Sequence, residues 1–245
     1  MSDLREPARL NEVIGADRAR ITGMREVSRL RDVEFEALRV VHPLTRNEQT
    51  RECFDTLVKM LVELYAKPNF VVGVTGITSG VGASYVALNT AVALAGDFRR
   101  TALLVQCSAQ RTPLARMLLP PPELGLSDYL LQKELQADDI VYAPGVARMR
   151  VIPFGNEASA VPLLAHERMR GLLDTMRARY SDRFIVLDLP EVDAIAELGP
   201  LLDWLDGTVL VVPHGGAGRA GVQRAVDLIG SERLAGLVMN RVPLS

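Results

Sequence analysis

The chain has 245 residues, of which 48% are hydrophobic, and a formal net charge of −2. It can therefore bury a full core, and its near-neutral charge argues against nucleic-acid binding through bulk charge. Two cysteines without a CxxC pair or a His/Cys cluster argue against a zinc site. No apolar run approaches the roughly 20 residues that span a bilayer, and the first residues lack the apolar centre of a signal peptide. We expect a cytoplasmic protein that reaches the inner face of a plasma membrane only through a partner.

The chain divides into two predicted parts. Residues 1–46 mix Arg, Asp and Glu, which predicts a mobile N-terminal extension that ends near Pro43. Residues 47–245 are predicted to form one domain, beginning with an amphipathic helix over 47–66 whose apolar residues recur at helical spacing.

The stretch 70–95 is the most informative part of the chain. It begins with a short apolar run over 70–74, typical of a strand buried on both faces. A glycine-punctuated turn over 75–82 follows, and then an Ala-rich segment over 84–95 that predicts a buried helix. A strand, a Gly-rich turn and a helix together form the framework of a phosphate-binding loop.

The loop departs from the usual G-x-x-x-x-G-K-[ST] pattern at one position, because Ala83 stands between Gly82 and Ser84. Backbone amides do not depend on side chains, so the loop can still surround a phosphate, and Ser84 offers a hydroxyl to Mg²⁺. We expect nucleotide contacts from the loop and from the end of the last strand, at Gly80, Val81, Gly82, Ala83, Ser84, Tyr85, Asn240 and Arg241.

Apolar runs and helical segments alternate through the rest of the chain. Further strands are predicted over 101–105, 149–153, 184–187, 207–212 and 234–239. Helices are predicted over 128–134 with Ser127 as the cap, over 162–180, over 192–205 apart from Gly199-Pro200, and over 220–229. This alternation predicts an α/β fold: a doubly wound, mainly parallel sheet flanked by helices, a three-layer sandwich of the P-loop NTPase type.

Polar residues follow several predicted strands at their carboxyl ends. Parallel strands place Gln106, Ser108, Asp188 and Asn240 along one rim with the loop. There Asp188 and Ser84 are the candidate Mg²⁺ ligands, and Asn240 is a candidate for reading a base. Plain structural roles remain open: Gly-rich turns are common in α/β folds, and an asparagine can simply form a turn. Cys107 is expected to be a small buried filler rather than a nucleophile.

With these residues in place, the chain resembles the cytoplasmic kinase domain of bacterial tyrosine kinases of polysaccharide export. These kinases are relatives of the deviant-Walker ATPases of the MinD and ParA type. The resemblance covers 48–241 and rests on motifs in order, at 74–84, 87–91, 105–112, 125–130, 153–155, 188–190 and 236–241. It implies ATP or ADP with Mg²⁺ as ligands and a membrane polysaccharide copolymerase or a related kinase as partner.

The departures from the family pattern fall where the chemistry would be. Ala83 replaces the Walker lysine and Thr78 the signature lysine of MinD-type proteins. Gln106 and Ser108 replace two aspartates that serve Mg²⁺ and substrate activation in the family. No tyrosine cluster, the family's site of autophosphorylation, is present at 243–245.

The family's motif for ring assembly, E-x-x-R-x-x-R, is kept in part. Glu48 and Arg51 match it, whereas Phe54 stands at the third position. Homo-oligomerisation through Glu48 and Arg51 therefore remains an expectation that the resemblance supports only in part.

The sequence leaves three candidate functions open. The first is a catalytically degenerate, pseudokinase-like protein of exopolysaccharide, capsule or holdfast export that binds nucleotide weakly or not at all and acts as partner or regulator. The second is an active tyrosine autokinase or ATPase with a non-standard cation, in which Asp188 would be catalytic. The third is a positioning ATPase of the MinD/ParA type, which would require a basic surface or an amphipathic terminal helix.

Overall fold

A computed structural model describes residues 32–41, 48–67, 69–109, 114–118, 120–179 and 182–242. The predicted boundary at Pro43, residues 110–113 of the second family motif and the C-terminal residues 243–245 lie outside the described residues, as do 1–31.

The six predicted strands are all present. They are β1 (Val71–Gly76), β2 (Thr101–Gln106), β3 (Met149–Ile152), β4 (Arg183–Asp188), β5 (Gly207–Pro213) and β6 (Leu234–Asn240). They form one sheet in the order β3-β2-β4-β1-β5-β6, with parallel neighbours throughout. Every residue of β1 and β4 is buried, and the apolar runs within these strands predict this burial.

Helices cover both faces of this sheet. They are α1 (Asp32–Ala37), α2 (Glu48–Tyr65), α3 (Ala83–Gly96), α4 (Leu114–Met117), α5 (Leu126–Leu131), α6 (Glu167–Arg179), α7 (Val192–Ile195), α8 (Gly199–Asp203) and α9 (Arg219–Ile229). Short 3₁₀ helices lie at Ala137–Ile140, Ala158–Ala165, Ala196–Leu198 and Ser231–Arg233. Among the described residues, no helix combines the length and apolar character needed to cross a bilayer.

Alternate residues along the strands pack into hydrophobic cores on opposite faces of the sheet. Val72 and Val74 of β1 pack with α2 and α3 on one face, whereas Val71 packs with α5 and α6 on the other. A smaller core joins α9 to β5 through Leu210 and Val212. The predicted doubly wound, three-layer α/β fold is confirmed.

Three helix predictions require correction. The single helix predicted over 162–180 is divided between the 3₁₀ helix Ala158–Ala165 and α6. His166 lies between them and caps α6, because its Nδ1 accepts a hydrogen bond from Arg168 N at 3.2 Å. Gly199 and Pro200 do not interrupt a helix but begin α8, where proline at the first turn costs no hydrogen bond. Ser127 does not cap α5; Asp128 Oδ2 accepts from Gly125 N instead, at 2.8 Å.

The described part of the predicted mobile extension, residues 32–41, packs against the domain. Val40 and Val41 are buried in the core beneath α3. Asn89 of α3 fixes this segment, since its Oδ1 accepts from Val41 N at 2.7 Å and its Nδ2 donates to Arg39 O at 3.3 Å. For these residues the expected mobile extension is wrong, because apolar burial and an amide anchor hold them in place.

Candidate functional site

The loop between β1 and α3 has the backbone of a phosphate cradle. Gly80 and Gly82 adopt left-handed conformations, with φ of 77° and 97°, which glycine reaches without a steric cost. Gly82 is also the N-cap of α3, so the free amides at the start of the helix face the loop. Loop amides and a helix N-terminus together favour an anion.

A cavity of about 220 Å³ opens on this loop. Its lining consists of Gly76, Thr78, Ser79, Gly80, Val81, Gly82, Ala83, Ser84, Tyr85, Ser108, Leu189, Pro190 and Glu191. No lysine or arginine stands among these lining residues, and Glu191 adds a carboxylate. Within the part of the chain that the structure describes, the cavity therefore offers an anion its backbone dipoles but no side-chain cation.

Asp188 ends β4 at the position that the motif predicts. In the sheet it lies between Gln106 of β2 and Val74 of β1, and its side chain is buried. The Ser84 hydroxyl is its hydrogen-bond partner, while its Oδ1 is buried without one. Burial raises the pKa of Asp188 to about 7, and the bond from Ser84 opposes this increase.

Ser84 and Asp188 are suitable ligands for Mg²⁺. Both offer oxygen, which hard cations prefer, and the unpaired Oδ1 of Asp188 is a buried acceptor that a cation or its water would satisfy. The structure thus brings together the two predicted metal ligands.

Gln106 and Ser108, where the resemblance to bacterial tyrosine kinases leads one to expect aspartates, carry neutral side chains. Gln106 Nε2 donates to Ser108 O at 3.0 Å, and Gln106 Oε1 accepts from Phe154 N at 3.5 Å. The Gln106 amide is thereby used within the protein, whereas Ser108 reaches the cavity wall. Between them Cys107 is fully buried, and burial together with Asp188 raises the pKa of its thiol, which fits the expected filler and not a nucleophile.

The structure places the predicted nucleotide contacts Asn240 and Arg241 against the outer side of the loop. Asn240 Nδ2 donates to Val81 O at 2.8 Å, and Arg241 Nη2 donates to Gly80 O at 2.5 Å. Neither residue lines the cavity. Their contact with a nucleotide remains a prediction.

Tyr85 lies at the junction between the cavity and the N-terminal segment. Its ring contacts Phe54 of α2 edge-on, with 5.8 Å between ring centroids. Burial raises the pKa of its hydroxyl, and the nearby charge of Arg39 acts in the opposite direction. An arginine of segment 32–41 therefore lies close enough to influence a side chain of the cavity wall.

The sequence analysis missed part of the cavity wall. Leu189, Pro190 and Glu191 line it directly after Asp188, and Pro190 O accepts a hydrogen bond from the buried Thr75 hydroxyl at 2.6 Å. The D-x-P motif pointed to this segment. It predicts the position of Asp188, but it does not predict which of the following residues face the cavity.

Glu48 and Arg51 do not join this site. They pair with each other within α2, with 3.1 Å between Arg51 Nη2 and Glu48 Oε1. Arg51 borders a different groove, of about 500 Å³, between α2 and the end of α3. Phe54, at the third motif position, is buried in the core. Assembly through Glu48 and Arg51 stays a prediction.

Comparison with known proteins yields a consistent set of relatives, although no protein-family profile matches the chain. The tyrosine-protein kinase CpsD of Streptococcus agalactiae is 21% identical over 209 residues, which cover 84% of this chain and 90% of the relative. The chain is also similar to the solved BceF tyrosine kinase domain, with a TM-score of 0.69 and 22% identity, covering 99% of this chain and 100% of that one.

A likeness outside the kinases extends the same fold. The cell division ATPase MinD of Pyrococcus furiosus has a TM-score of 0.56 and 21% identity, covering 72% of this chain and 73% of the relative. Both structural likenesses concern the fold, whereas CpsD matches in sequence over most of both chains. The chain is a homologue of the bacterial tyrosine kinases, on a fold that it shares with MinD-type ATPases.

Proposed function

We propose that this protein is a catalytically degenerate, kinase-like partner or regulator of a membrane copolymerase in exopolysaccharide, capsule or holdfast export. The observation that carries the proposal is the cavity over the loop, which keeps its backbone donors and has no lysine or arginine among the described residues that line it. All six predicted strands and the helices that flank them are present around it. The departures at Ala83, Gln106 and Ser108 therefore concern chemistry rather than folding.

The residues that remain support binding better than catalysis. The loop amides would hold the phosphates of ATP or ADP, and Ser84 with Asp188 would hold Mg²⁺, which when bound neutralises phosphate charge. The missing lysine would have contributed a charge-assisted hydrogen bond worth about 1.5–3 kcal/mol, so affinity falls by roughly 10- to 100-fold.

Catalysis needs more than binding. Charge that develops on a transferring phosphoryl group must meet a fixed cation, and the metal must be held in one geometry. Ala83 stands in the loop where a lysine would supply that cation, and the described residues that line the cavity include no other lysine or arginine. Gln106 is bonded to Ser108 O, so Ser84 and Asp188 are left as the candidate metal ligands among the described residues. The role left to the protein is recognition, and a tyrosine kinase domain implies a copolymerase or a related kinase as the partner.

Calorimetric titration with Mg·ADP tests this proposal, using the wild type and Ala83→Lys. We expect the wild type to bind with a Kd of about 100 µM or weaker, and Ala83→Lys to bind about 10- to 100-fold more tightly. Ser84→Ala is the matched control and should not gain affinity. Tight binding by the wild type without a gain in Ala83→Lys would contradict the proposal and favour an active enzyme with another cation.

A further inference from the structure

Two residues at the end of β6, Asn240 and Arg241, bind consecutive carbonyls of the phosphate loop, and we call them the strand-end pair. The distances are 2.8 Å from Asn240 Nδ2 to Val81 O and 2.5 Å from Arg241 Nη2 to Gly80 O. These bonds join positions 159 and 161 residues apart in the chain, so they tie the last strand of the sheet to the first loop.

The direction of these bonds fixes the direction of the loop amides. In a planar trans peptide the C=O and the N–H point to opposite sides. The carbonyl of Gly80 shares its peptide with the N–H of Val81, and the carbonyl of Val81 shares its peptide with the N–H of Gly82. Neither Asn240 nor Arg241 is among the residues that line the cavity, so carbonyls bonded to them are expected to point away from it and the two N–H groups toward it.

The Asn240 side chain lies close against the loop at Gly82. A Cβ on Gly82 would collide with Asn240 Nδ2, so the Asn240 amide occupies the space that any side chain at position 82 would need. Gly82 is thus required twice, by its left-handed φ of 97° and by this approach.

The strand-end pair is itself held firmly. Asn240 is paired with Pro213 in the sheet, and its carbonyl accepts from His214 N at 2.8 Å. Arg241 adopts a left-handed φ of 62°, which is uncommon for a residue with a side chain and costs free energy. That conformation coincides with a guanidinium that reaches back to Gly80 O.

We propose that Asn240 and Arg241 are positioning residues that preorganise the phosphate loop, so that a cradle without a lysine can still present its amides to an anion. This role differs from base reading, because it acts through the bond from Asn240 Nδ2 to Val81 O. The effect on phosphate affinity rests on the proposed nucleotide function, whereas the effect on loop order does not.

The experiment combines amide order parameters from ¹⁵N relaxation in the free protein with calorimetric titration by Mg·ADP. The variants are Asn240→Ala and Arg241→Gln, with Arg241→Lys as the conservative replacement, which keeps one donor on a long side chain. Arg219→Gln, an exposed arginine at the start of α9, is the matched control. Urea unfolding of each variant verifies that it is folded, and Arg241→Gln changes an exposed side chain outside the core.

For Asn240→Ala and Arg241→Gln we expect the order parameters of the Val81 and Gly82 amides to fall from about 0.85 to below about 0.6. The Kd for Mg·ADP should rise about 10-fold. Arg241→Lys should recover most of both values, and the control should change neither. Unchanged loop order in both variants would overturn the proposal. A fall in loop order without detectable Mg·ADP binding in any protein, the wild type included, would support the positioning role and contradict nucleotide binding.

Discussion

Asp188 ends β4 with a buried carboxylate, and burial raises its pKa to about 7. The D-x-P motif at the end of an apolar strand is enough to place its carboxylate at the rim. The raised pKa was not predictable, because it depends on how completely β1, β2 and Ser84 exclude water from the carboxylate.

The raised pKa of Asp188 predicts a pH dependence of stability. Its pKa is 3.8 when unperturbed and about 7 in the folded protein, so between these values the folded state binds more protons than the unfolded state. The stability that the folded protein gains from holding this proton is fully present below pH 3.8 and is lost as the pH rises through 7. The shift corresponds to at most roughly 4 kcal/mol.

Urea unfolding of the wild type and Asp188→Asn at pH 5 and at pH 8 measures this effect. We expect the free energy of unfolding of the wild type to fall toward pH 8, and Asp188→Asn to lose less over the same interval. Parallel pH profiles for the two proteins would show that Asp188 is not the group responsible.

At the scale of elements, strands were predicted better than the connections between them. Each buried strand is an unbroken apolar run, and such a run is local information. The start of α6 depends on a histidine cap, and the docking of 32–41 depends on Asn89, about 50 residues away in the sequence. Contacts of this kind leave no periodic pattern, so charge composition alone suggested a mobile extension.

The docking of segment 32–41 predicts a cost for losing Asn89. Asn89 is fully buried and bonds Val41 N, Arg39 O and Tyr85 O. Asn89→Ala would leave buried backbone groups without partners, at about 1–3 kcal/mol. Limited proteolysis should then cut near Arg39 faster than in the wild type, and Gln223→Ala, an exposed amide on α9, is the control. Equal cleavage rates in all three proteins would refute the anchor.

A second element-scale prediction concerns the start of β1. Asp206 accepts from Val71 N at 2.8 Å and pairs with Arg177 at 2.8 Å and with Lys67 at 2.6 Å. Its side chain is only 11% exposed, whereas Asp203 is 58% exposed and pairs with Arg233. We expect Asp206→Ala to cost about 2–4 kcal/mol and Asp203→Ala at most about 1 kcal/mol in chemical unfolding. Similar costs for the two would contradict this ranking.

At the scale of the whole molecule, the alternation of strands and helices was sufficient for the fold. Crossover handedness then predicts that the loop, Gln106, Asp188 and Asn240 lie at one edge of the sheet. The sequence could not show that Asn240 and Arg241 would bind the loop from outside, since side-chain direction at a strand end depends on the turn that follows. The fold is kept around a cavity whose described lining residues include no lysine or arginine, and this is the basis for proposing a role in recognition.

Transfer or release of labelled γ-phosphate from Mg·ATP tests the central claim most directly. The wild type and Asp188→Asn are assayed side by side, together with a variant that combines Ala83→Lys, Gln106→Asp and Ser108→Asp. We expect the wild type and Asp188→Asn both to remain at the level of the protein-free reaction. Phosphate transfer or release by the wild type that Asp188→Asn abolishes would contradict it.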